Sequence, residues 1–112
     1  MEIVARLRLR LPRSNMIIKE LREEIKSVAN QFETSVVMLD NPYFDKSIVG
    51  YIEDGNTVRL VYDMDKMVDE FVEDSTGECT ETDAIEFIEY NTLRAIPYMG
   101  DSAPLILHRF NV

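Results

Sequence analysis

The chain has 112 residues, enough for one domain spanning 1–112 and too few for a second hydrophobic core. Hydrophobic residues make up 46% and charged residues 29%, which argues against disorder, while a formal net charge of −9 argues against direct binding to nucleic acid or to an anionic membrane. Cys79 is the only cysteine, so an internal disulfide and a four-ligand structural zinc are excluded, and a reducing cytoplasm is the expected location.

Residues 3–11 alternate. Ile3, Ala5, Leu7, Leu9 and Leu11 point one way, and Val4, Arg6, Arg8 and Arg10 point the other. Period two predicts a strand with one buried face, ended by Pro12, which cannot donate to a ladder. The arginines interrupt any apolar run, so no secretory leader is read here. No stretch approaches the ~20 apolar residues that span a bilayer. Ser14 or Asn15 can cap a helix running to about Asn30, with Ile18, Leu21, Ile25, Val28 and Phe32 as its apolar stripe. Lys19 and Glu23 attract at i,i+4 while Arg22 and Lys26 repel, so burial of the stripe must hold this helix.

Residues 35–39 read as a short strand, broken by Asp40-Asn41-Pro42, after which Tyr43 and Phe44 follow in a loop. Residues 47–53 and 57–62 flank Asp54-Gly55-Asn56 and predict a hairpin. Asp63 can cap a helix over 64–74, whose stripe is Met64, Met67, Val68, Phe71 and Val72. After a loop containing Gly77, Thr80 with Asp83, or Thr82 alone, starts a third helix. It runs to about Ile96, with Ala84, Ile85, Ile88, Thr92 and Ile96 inward and Pro97 ending it. Leu105, Ile106 and Leu107, within 104–110, read as a last strand. The order β-α-β-β-β-α-α-β predicts an α+β fold, a single sheet of about five strands with two or three helices on one face. It is a variant of the split βαβ, ferredoxin-like pattern.

Residues 65–89 carry the whole net charge. Asp65, Asp69, Glu70, Glu73, Asp74, Glu78, Glu81, Asp83, Glu86 and Glu89 are opposed only by Lys66, and outside this window eleven acids balance eleven bases. Asp65, Asp69 and Glu73 stand four residues apart on one side of the 64–74 helix, about 6 Å from one another along its axis. A calcium loop read from Asp63 fails, because Met67 and Val68 occupy the positions of a ligand and of the obligatory glycine. No metal and no cofactor are expected. Glu86 and Glu89 extend the acidic surface along the next helix.

The expected function is a non-enzymatic interaction module that contacts a basic protein surface or a second copy of itself. Asp65, Asp69, Glu70, Glu73, Glu86 and Glu89 are its charged contacts, with Tyr43, Phe44 and Tyr98 as apolar ones. The row Arg6, Arg8 and Arg10 is the candidate for self-association as a homodimer, or serves to blunt an exposed sheet edge. Two other functions fit the same residues. A small enzyme or ligand-binding domain would use Glu86, Glu89, Tyr90, Arg94 and His108 and requires a concave pocket joining them. A mimic of nucleic acid would exploit carboxylates spaced on the scale of phosphates along a strand. His108 reads as a partly buried structural imidazole, and the carboxylates Glu78 and Glu81 should raise the pKa of Cys79 and suppress its thiolate. The four glycines are too dispersed for a phosphate-binding loop.

Overall fold

A computed structural model describes residues 8–10, 18–40, 42–76 and 78–110. Its centre is the hairpin. β2 (Ile48–Asp54) and β3 (Thr57–Asp63) pair antiparallel, with Asp54 opposite Thr57. Gly55 takes φ 60°, a backbone angle that side-chain-bearing residues avoid, and the Thr57 hydroxyl donates to the Asp54 carbonyl at 2.8 Å. β1 (Arg8–Arg10) lies antiparallel to β2, and β4 (Leu105–Leu107) lies parallel to β3. The result is one small mixed sheet in the order β1-β2-β3-β4. Three α-helices accompany it: α1 (Ile18–Gln31), α2 (Met64–Asp74) and α3 (Glu81–Phe87).

The fold is therefore α+β, but a fifth strand is not seen among the described residues. Residues 35–39 form no ladder. The hairpin partner β3 takes one edge of β2 and β1 takes the other, so this segment is not inserted beside the hairpin, and it pairs with neither outer strand. Its Leu39 is buried and donates its N–H to the Tyr62 hydroxyl at 2.9 Å, while Val36 and Met38 line a groove against α1. The split βαβ expectation fails for a related reason. Such a unit needs a strand between its two parallel partners, and here the parallel strands β3 and β4 are direct neighbours.

α2 spans the expected residues. The buried Asp63 carboxylate caps it, with Oδ1 accepting from the N–H of Asp65 at 2.9 Å and of Lys66 at 3.4 Å. α3 starts from Thr80, whose hydroxyl accepts the Asp83 N–H at 3.1 Å while the Asp83 side chain returns to the Thr80 N–H. It does not run on to Ile96 as an α-helix. After Phe87 the chain widens into a π turn, Ile88–Thr92, in which the Leu93 N–H is shared between the carbonyls of Ile88 and Glu89. It then tightens into a 3₁₀ segment, Leu93–Tyr98, around Pro97, which has no N–H with which to continue an α ladder. Ala84, Ile88 and Thr92 still face inward.

Leu60 and Tyr62, on one face of β3, anchor a core shared with Ile48, Met67, Val68, Ile88 and Ile25. Phe44 also belongs to it, in a 3₁₀ turn (Pro42–Ser47) that packs on α2. Of the α1 stripe, Ile25 alone is buried; Ile18, Leu21, Val28 and Phe32 are half-buried. Arg22 supplements them by donating from Nε to Asp45 at 2.9 Å, where it meets a carboxylate with almost no exposure.

Candidate functional site

The β3–α2 corner, the α2–α3 pair and the π turn together present the acidic flank. Burial of Met64, Met67 and Val68 turns Asp65, Asp69 and Glu73 outward, since residues four apart share a helix face. Burial of Ala84 and Ile88 does the same for Asp83, Glu86 and Glu89. Nine of the ten acids in the 65–89 window are exposed, and Glu70 is half-buried. Among the described residues the single ion pair on this set is a loose one, from Arg109 Nε to Asp65 at 3.9 Å.

Arg109 arrives from the segment after β4, and its main partner is Asp63, to which it donates from Nε at 2.9 Å and also from its Nη2. This hydrogen bond, with the charges of Asp63, Asp65 and Asp69, holds the Arg109 pKa above its usual value. Arg109 thus stands at the Asp65 end of the row.

A wide, shallow depression opens on α3 and the π turn, lined by Asp83, Glu86, Phe87, Glu89, Tyr90, Asn91 and Arg94. Arg94 lies over the Tyr90 ring, with Cζ 4.8 Å from the centroid. Four of the five residues required by the enzyme alternative meet here. His108 does not line this depression: it is exposed beyond the end of β4, which corrects the expectation of a partly buried imidazole. Cys79 has its thiol pushed up, first by desolvation and then by Asp83, so the responsible carboxylate is Asp83 and not Glu78 or Glu81. Its Sγ donates to the Thr80 carbonyl at 3.3 Å. No group of three His, Cys, Asp or Glu side chains among the described residues is placed to hold a metal ion. No described helix is long and apolar enough to cross a membrane.

The apolar contacts divide. Tyr98 is 89% exposed, whereas Phe44 has no exposure at all and is withdrawn from the contact surface. A phenyl ring two residues past Pro42, within the 3₁₀ turn, is drawn into the core because α2 offers it an apolar face. The Tyr43 side chain and Arg6 lie outside the described residues; Arg8 and Arg10 sit in the edge strand β1, with their side chains likewise outside the description. Sequence reasoning missed Phe87, which is 41% exposed, and Phe110. Phe87 was detectable, since it falls off the inward stripe of Ala84, Ile88 and Thr92. No family model, curated protein or solved structure matches this chain.

Proposed function

We propose that the chain is a non-enzymatic interaction module whose acidic flank binds a basic protein surface in a reducing cytoplasm. The observation that carries this reading is that nine of ten clustered carboxylates stand in water almost without internal counter-charge. Such crowding opposes folding through self-repulsion, and the fold would gain by dispersing it. A complementary surface offsets that repulsion and gains rate from electrostatic steering. A second copy of the chain is one source of such a surface. Lys19 and Lys26 of α1, with Glu23 between them, border a groove floored by Ile25, Ala29 and Val36, and Arg8 and Arg10 lie on an edge strand. Light scattering across a salt series reads that homodimer directly.

The test for a basic partner is charge reversal at Asp69 and Glu73. Lysate proteins retained at low salt by the native chain and released at high salt should not be retained by the Asp69→Lys, Glu73→Lys variant. Equal retention with an unchanged salt slope would remove the electrostatic claim. Displacement of the retained protein by DNA or RNA would identify mimicry of nucleic acid instead. The enzyme reading is the weaker one, because the depression leaves Glu86 and Glu89 exposed and lacks His108.

A further inference from the structure

The depression on α3 and the π turn combines two kinds of group. It has aromatic rings left in water, Tyr90 at 67% exposure along with Phe87, and carboxylates lining the same surface, Glu86 and Glu89. The Phe87 ring is held in place by Phe71 of α2, with centroids 4.6 Å apart and planes tilted by 38°. Glu86 and Glu89 form no ion pair among the described residues, although Arg94 lines the same depression. Arg94 instead spends its guanidinium on the Tyr90 face. The molecule thus already holds one guanidinium against this ring, in a depression that two carboxylates also line.

We propose that this depression is where an arginine side chain of a basic protein partner anchors, replacing Arg94 on Tyr90 and donating to Glu86 or Glu89. The inference rests on the interaction-module reading and names the residue that such a partner must supply. An aromatic face attracts a cation through its quadrupole, and a carboxylate takes the planar guanidinium through two parallel N–H donors. Lysine can satisfy the charge but neither stacks as a plane nor forks, so the site discriminates between the two cations. Phosphate and anionic lipid are repelled by the same carboxylates. The π turn serves this arrangement by presenting Glu89, Tyr90 and Asn91 to the depression consecutively, and such turns are frequent at functional sites. Arg94 is then an internal placeholder, and removing it should strengthen binding.

Two synthetic peptides test this, one with three arginines in a Gly/Ser background and one with three lysines, titrated against the full chain by calorimetry. The arginine peptide should bind roughly threefold more tightly. Tyr90→Leu should shrink the difference between the two peptides, and Arg94→Gln should tighten the arginine peptide by roughly threefold or more, a gain that Tyr90→Leu abolishes in the double variant. Equal affinities in the native chain, a preference undiminished by Tyr90→Leu, or weaker binding by Arg94→Gln would each overturn the proposal. Asp69→Lys should weaken both peptides alike. If both bind equally and Asp69→Lys weakens both, the arginine anchor falls while the basic-partner reading stands. Binding of neither peptide removes both.

Discussion

Two populations of acid share this molecule and are treated in opposite ways. Asp45 and Asp63 lie in the core with almost no exposure, and each is matched by one arginine, Arg22 and Arg109. The acids of α2, α3 and the π turn stand in water with hardly any base among them. A buried carboxylate must be paired, because desolvation of an isolated charge costs more than a fold of this size can absorb. An exposed one need not be, and surface ion pairs add little. The contrast separates acids that build the fold from acids free to serve a partner.

The largest test of that division is Arg22→Met. It leaves Asp45 buried with neither oxygen bonded, since Asp45 Oδ1 already lacks a hydrogen-bond partner among the described residues. It should cost about 3 kcal/mol in urea unfolding, the low end for a broken buried pair because Arg22 is near water. Adding Asp45→Leu should recover most of the loss; a double variant no more stable than Arg22→Met would break the comparison. Asp63→Ala follows, at about 2 kcal/mol, as it removes both the α2 cap and the partner of Arg109.

Tyr62 sharpens the same point with a neutral group. Burial pushes its pKa up to about 12; the Leu39 N–H bond pulls it down, Asp45 raises it and Arg22 lowers it. The folded state therefore keeps its proton above pH 10, where the unfolded chain loses it. Stability should be fully present below pH 10 and fall from there through about pH 12. Tyr62→Phe should remove that alkaline slope and cost about 1 kcal/mol, by leaving the buried Leu39 N–H unbonded. The smallest effect belongs to the flank. Asp69→Lys with Glu73→Lys should shift stability by no more than about 0.5 kcal/mol, in the stabilising direction. Added salt should raise the melting temperature of the native chain more than that of the variant. A large destabilisation would assign the flank acids to the fold after all.

Much of this architecture is written locally. Asp54-Gly55-Asn56 dictates the hairpin, Asp63 dictates where α2 begins, and the stripe of Met64, Met67 and Val68 dictates which carboxylates face water. What local pattern does not encode is competition between segments. Residues 35–39 have strand composition, yet their Leu39 N–H goes to the Tyr62 hydroxyl and Val36 and Met38 pack towards α1 instead of joining a ladder. Phe44 follows a turn signal, yet it fills the core beneath α2. The pairs of Arg22 with Asp45 and Arg109 with Asp63 span 23 and 46 residues, and no spacing rule reaches that far. The site divides along the same line. The exposed carboxylates follow from helical periodicity, whereas the seating of Arg94 on Tyr90 depends on a π turn that periodicity does not announce.

Asp63 closes a circuit. The chain leaves this carboxylate at the end of β3, passes through every negatively charged helix, and returns by way of β4 to lay Arg109 on the oxygen opposite the one that starts α2. One side chain thus buckles both ends of the flank together, like the clasp of a bracelet. An anion that lured Arg109 away would slacken the start of α2 and the end of β4 in a single event, so disturbance at the bracelet's fastening would be felt along its whole length.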